Sequence, residues 1–216
     1  KDKDVFDTKI TKSMKVKPVL LKLREGTETY SCFSSRPTPA LHWTTLNRLI
    51  ADLLEQNIIG YVGNQRSKWC APAHCVEKPN RVPLALRLMV DYTRLNACLI
   101  RNQAQMFPTG KVIRQQLGKE CKVWAASDAL AAYYQIVVDK RDQHNTTFML
   151  LKGRPYFKKT DMGNMLSSDS WVGASDEVII ELEGVFKLVD HLLIRGNDYK
   201  QLAERLEILL ARCRDA

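Results

Sequence analysis

Short strand-like runs and helix-spaced apolar stripes follow one another in a single order: helix, hairpin, helix, strand, hairpin, helix, hairpin, helix. Leu46, Leu49, Ile50, Leu53 and Leu54 fall on one face at helical spacing. Thr44 or Thr45 is placed to cap that helix and Gly60 to end it. AHCVEK and LALRLMVD read as two strands joined through the Pro79–Pro83 turn region, and GKVIRQQLG as a short helix closed by Gly118. CKVWAASD is a strand ending at Asp128, followed by a short turn or helix, ALAAYYQI. NTTFMLL and RPYFKKT read as a hairpin bent at Gly153. Ser167 and Ser168 are placed to cap a helix carrying Trp171, Val172, Val178, Ile179 and Leu182. LVDHLLIRG is a strand, a tight turn and a strand, with Asp190 and His191 side by side at the tip. The last helix opens on a capping box, Asp198 with Gln201, and carries Leu202, Leu206, Leu209 and Cys213 on one stripe. Hairpins and helices ordered this way predict an α+β fold, an antiparallel sheet with helices packed on one face. Such a sheet can bring the strand end at Asp128 to the hairpin tip at Asp190.

The 216 residues, 45% hydrophobic and 26% charged, suffice for one domain or two small lobes. No apolar run is long enough to span a bilayer and the start shows no leader pattern, so the expectation is an intracellular protein, nuclear or cytoplasmic, with no membrane partner. The net charge of +9 favours an anionic partner. Much of the surplus lies in two places, the lysines of the first 17 residues and the run Lys140, Arg141, Lys152, Arg154, Lys158 and Lys159. Each reads equally well as a solvated face. The cysteines show no CxxC pair, and Cys70, His74 and Cys75 lack a fourth zinc ligand, so unpaired thiols are expected. MKVKPVLLKL reads as a short strand or extended arm, and TYSCFSSRPTPALHW as an extended connector.

Five stretches, in order, resemble the reverse transcriptases of gypsy-type long-terminal-repeat retrotransposons. KWCAPAHCVEKPN with LRLMVDYTRLN resembles the fingers hairpin and its V-D-Y-R-x-L-N ending. FPTGKVIRQQLG resembles the following segment, and SDALAAYYQIVVDKRDQHNTTF the L-D-L-x-x-G-Y-H-Q-I block. YFKKTDMGNMLSSDSW resembles the block built around M-P-F/M-G, and LVDHLLIRGNDYKQLAERLEILL the Y-x-D-D hairpin with its helix. The resemblance covers roughly residues 40–213. It implies polymerase-like fingers and palm: an N-terminal extension over 1–39, a fingers-like part with a minor palm contribution over 40–109, and a palm-like part over 110–216. The chain ends after the last helix, so no thumb is expected.

The resemblance also implies two-metal nucleotidyl transfer, with three carboxylates holding Mg²⁺. Asp128 matches the first carboxylate and Asp190 the second, and these are the implied metal ligands. His191 stands at the third position, where imidazole offers nitrogen in place of an anionic oxygen. Loss of one such carboxylate is expected to cost about 10³-fold in rate, roughly 4 kcal/mol of barrier. Lys78, Arg87, Tyr133, Met162 and Gly163 match nucleotide-binding positions: Arg87 the fingers arginine on the triphosphate, Tyr133 the residue that excludes ribonucleotides, and Asp91 a structural aspartate. Leu188, Thr93, Ala132 and Asp161 depart from the pattern, Asp161 replacing a proline. The expectation is therefore a catalytically inactive, retrotransposon-derived domain serving as a protein- or nucleic-acid-binding scaffold. No cofactor is expected unless activity remains, in which case Mg or Mn. The alternative is an active or weakly active RNA-directed DNA polymerase, with His191 working with Mn²⁺ or Asp169 moving in as a ligand. Partner identity and oligomeric state stay open.

Overall fold

The computed structural model describes residues 5–6, 9–10, 12–63, 67–101 and 121–216. The short helix expected over 110–118 lies outside the described residues. Among the described residues, four α-helices, α1 (Trp43–Glu55), α2 (Thr93–Cys98), α3 (Met165–Ile179) and α4 (Tyr199–Asp215), accompany eight strands. The strands are β1 (Ile59–Tyr61), β2 (Ala71–Glu77), β3 (Leu86–Val90), β4 (Val123–Asp128), β5 (Phe148–Met149), β6 (Pro155–Phe157), β7 (Val185–Leu188) and β8 (His191–Gly196). The α+β expectation holds, with the single predicted sheet resolved into three small ones: β3-β2-β5, β1-β6 and β4-β8-β7.

Helix α1 buries Leu46, Ile50 and Leu53 as its spacing dictates. Neither threonine caps it, because it continues directly from a 3-10 turn at Ala40–His42. Gly60 does not end it either. Asn57 sits at φ 53°, the Asn57 N–H donates to the Leu54 carbonyl, and the Ile58 N–H donates to the Leu53 carbonyl. This is a Schellman closure with asparagine in the left-handed position that glycine usually takes. Gly60 is instead buried in β1, where an added Cβ would lie 2.9 Å from the Lys158 side chain.

The hairpin of β2 and β3 forms as read, in antiparallel register from Ala73 opposite Val90 to Glu77 opposite Leu86. The expected hairpin at Gly153 does not. The turn itself closes, with Leu150 and Gly153 exchanging both backbone hydrogen bonds. Beyond it the arms diverge: β5 pairs in parallel with β2, and β6 pairs antiparallel with β1. Phe148 and Phe157 remain in contact across the core, ring centroids 5.1 Å apart, within a cluster that includes Ile58, Tyr92 and Leu99. Tertiary partners for these two largely buried strands outweigh their mutual pairing.

In the antiparallel sheet β4-β8-β7, Ala125, Ile194 and Val185 share a register row, as do Ser127, Leu192 and Lys187. This side carries Val185, Ile194 and Leu192 onto Leu202, Leu206, Leu209 and Cys213 of α4. Lys187 is buried there, its Nζ donating to the Val172 carbonyl and the Ser175 hydroxyl of α3 and pairing with Asp176. The opposite side holds Asp128, His191 and Leu188 in one row, and Trp124 with Arg195 in another. Trp124 is exposed. Helices therefore cover one side of this sheet and leave the other to solvent.

An extended arm, as MKVKPVLLKL suggested, ties the parts together. The Met14 N–H donates to the Gln135 carbonyl, Val19 bridges to Val138, and Leu23 bridges to Leu99. Val19 packs against two hydrophobic clusters, the one around Phe148 and the one around Trp171.

Candidate functional site

The tip of the β7–β8 hairpin is a two-residue turn, Val189–Asp190, between the paired Leu188 and His191. Val189 adopts φ 59°, a left-handed conformation that a β-branched side chain enters only with strain. Two bonds hold the tip. The Trp171 indole Nε1–H donates to the Val189 carbonyl at 2.8 Å, and the Ala129 N–H donates to the Asp190 carbonyl at 2.9 Å. The second bond ties the end of β4 to the turn, so Asp128 and Asp190 converge as the strand order implied.

His191 faces Asp128 across the strands. Its Nδ1 lies 3.4 Å from an Asp128 oxygen and its Nε2 3.8 Å from an Asp190 oxygen. The imidazole thus lies between the two carboxylates. Among the described residues, Asp128, Asp190 and His191 form the one group of three side chains suited to hold a metal, their ligand atoms within 4.8 Å of one another. Cys70, His74 and Cys75 form no such group; the His74 ring meets Arg36 at 3.3 Å, and the cysteines are unpaired.

A pair of Mg²⁺ ions does not fit this donor set. Mg²⁺ demands oxygen ligands in near-octahedral array. Here only two of the three side chains offer oxygen, and the third donor is nitrogen. Asp169 does not supply the missing oxygen, because both its oxygens accept from Arg101, at 2.8 and 2.9 Å.

The other predicted residues are distributed around this cluster. Tyr133 follows β4 in a 3-10 turn, packs against the Trp171 cluster, and its hydroxyl lies 3.2 Å from the Ser168 hydroxyl on α3. Arg87 and Lys78 are exposed on the β2–β3 hairpin, and the Arg87 charge reaches Tyr134, next to Tyr133. Met162 is exposed in the turn before α3. Gly163 in the same turn is tightly enclosed: a Cβ there would lie 2.6 Å from the Val90 carbonyl oxygen. Asp91 accepts from the Thr93 N–H and hydroxyl at the start of α2, and those bonds lower its pKa.

Asp161 has a role that its reading as a departure did not reveal. Its Oδ1 accepts from the N–H groups of Gly163 and Asn164 at 2.7 and 3.1 Å. Asn164 in turn caps α3 through the Leu166 N–H, so Ser167 and Ser168 lie inside the helix and do not cap it. An aspartate followed two and three residues later by unpaired helix-entry donors is a local signal for such a turn. The other oxygen, Oδ2, is buried with no partner, and burial pushes the carboxyl up to about 7.

Part of the basic run of 140–160 is engaged in internal contacts. Arg141 pairs with Asp139, Lys158 donates to Asn57, and buried Lys159 donates to the Ile10 carbonyl. Lys140 and Lys152 remain exposed. Among the described residues, no helix is long and apolar enough to cross a membrane.

No protein-family model matches the chain. It is 26% identical over 194 residues to the retrovirus-related Pol polyprotein from transposon gypsy of Drosophila melanogaster, covering 84% of the chain and 18% of that protein. The native protease–reverse transcriptase of prototype foamy virus superposes with a TM-score of 0.80 at 18% identity, over 94% of this chain and 26% of that one. The foamy viral enzyme in complex with an RNA/DNA hybrid gives 0.79 at 18% identity, over the same shares of the two chains. A form in complex with double-stranded DNA gives 0.72 at 16% identity, over 94% of this chain and 34% of that one. The weak sequence match and the strong structural match together support a retrotransposon reverse-transcriptase-like domain.

Proposed function

We propose that the domain is catalytically inactive and serves as a nucleic-acid-binding scaffold. The observation that carries this reading is the imidazole of His191 between Asp128 and Asp190, in the place of a third metal-binding carboxylate. Nucleotidyl transfer needs paired divalent ions to activate the attacking hydroxyl and steady the leaving group. A nitrogen donor in place of the third carboxylate oxygen weakens the hold on those ions. Binding needs less: cationic side chains to meet phosphates and release their counterions. The net charge of +9 supports it, as do exposed Lys78, Arg87, Lys140 and Lys152. The foamy viral relatives bind double-stranded DNA and RNA/DNA hybrid, and this chain shares their fold.

An electrophoretic titration against single-stranded RNA, duplex DNA and RNA/DNA hybrid at several salt concentrations tests the scaffold role. Affinity that falls steeply with salt supports it. No binding at low salt sinks it and turns attention to a protein partner. Primer extension with Mg²⁺ and with Mn²⁺, wild type beside Asp128→Ala and Asp190→Ala, tests inactivity. The convergence of Asp128 and Asp190 favours a second reading, residual Mn²⁺-dependent synthesis. Incorporation abolished by both substitutions would establish that reading and overturn the first.

A further inference from the structure

We infer that Asp128, Asp190 and His191 form a site for a single first-row transition ion, with Zn²⁺ and Co²⁺ preferred over Mg²⁺. Three observations lead there. The three ligand atoms lie within 4.8 Å of one another, close enough to face one ion after small side-chain rotations. The charge balances: two carboxylates neutralise one dication, where they leave two dications in excess. The donor set is mixed, one imidazole nitrogen and two carboxylate oxygens, which suits zinc, cobalt or manganese and disfavours magnesium. The backbone under the site is already fixed. Asp128 and His191 are register partners, and the turn carrying Asp190 is anchored by the Ala129 N–H and the Trp171 indole. Three protein donors leave the rest of the coordination sphere to water, consistent with the half-exposed side chains. The site is independent of whether the domain binds nucleic acid.

Calorimetric titration of the full chain with ZnCl₂, CoCl₂, MnCl₂ and MgCl₂ tests it, with His191→Ala, Asp128→Asn and His191→Asp alongside. Wild type is expected to take one Zn²⁺ or Co²⁺ at least about tenfold more tightly than Mg²⁺. His191→Ala and Asp128→Asn are each expected to weaken Zn²⁺ at least about tenfold, and His191→Asp to move the preference toward Mg²⁺. These side chains are solvent-exposed, and circular dichroism of each variant confirms an unchanged fold. Free cysteines also bind zinc and cobalt, so the Co²⁺ absorption spectrum decides the donors. Weak visible bands without a thiolate charge-transfer band support the site. A thiolate band, Zn²⁺ affinity unmoved by either substitution, or Mg²⁺ bound as tightly as Zn²⁺ overturns it.

Discussion

Asp128 and His191 are direct cross-strand partners, and the carboxylate of one lies 3.4 Å from the ring nitrogen of the other. Replacing that ring with an acid gathers three carboxylates at one hairpin tip. His191→Asp is therefore expected to lower stability in metal-free buffer by only a few tenths of a kcal/mol, because the groups face solvent. Added Mg²⁺ is expected to raise the melting temperature of His191→Asp and leave wild type nearly unmoved. A thermal-shift series in MgCl₂ checks both.

Asp161 imposes a pH dependence. Its carboxyl is raised to about 7 in the folded protein by burial, while the unfolded chain returns it to the usual range near 4. The folded state binds the extra proton between those values. Stability from this group is complete below about pH 4, declines as pH rises through 7, and is level above. The span is on the order of 4 kcal/mol at most. Asp161→Asn keeps an acceptor for Gly163 and Asn164 and removes the titration. Urea denaturation from pH 5 to 8.5 is expected to show a flatter profile for Asp161→Asn and higher stability than wild type at the alkaline end.

Gly163 has no room for a methyl group, since the nearest obstacle, 2.6 Å away, is the Val90 backbone oxygen and not a movable side chain. Gly163→Ala is expected to cost about 1–3 kcal/mol, read as a lower urea midpoint at unchanged slope.

Val189 carries the opposite kind of strain, a branched side chain at φ 59°. Val189→Gly is expected to stabilise by about 1 kcal/mol, the relief of the left-handed conformation net of glycine's greater unfolded-state entropy. An unchanged or lower melting temperature would show that the valine side chain contributes contacts outweighing its strain.

The convergence of Asp128 with Asp190 was legible because one ends a strand and the other sits at a hairpin tip, which an antiparallel sheet brings together. The stripe of Leu202, Leu206 and Leu209 was legible from its helical period. What escaped were features settled at a distance. Asn57, not Gly60, closes α1 because asparagine also tolerates the left-handed region. Phe148 and Phe157 find strands far away in sequence, so the apparent hairpin at Gly153 opens. Asp169 is unavailable as a ligand because Arg101, 68 residues earlier, already holds both its oxygens. Asp161 looked like loss of a motif proline, yet its carboxylate organises the entry of α3.

Val19 is shared by two hydrophobic clusters, and the arm around it runs on to bridge Leu99 through Leu23. A segment stitched into both cores gives them a common fate. The cluster around Phe148 and the one around Trp171 are therefore expected to melt together despite lacking a common sheet. Cutting the stitch at Val19→Ala should therefore do more than lower a midpoint. It should let near-ultraviolet signals from Trp69 and Trp171, one in each cluster, report separate transitions.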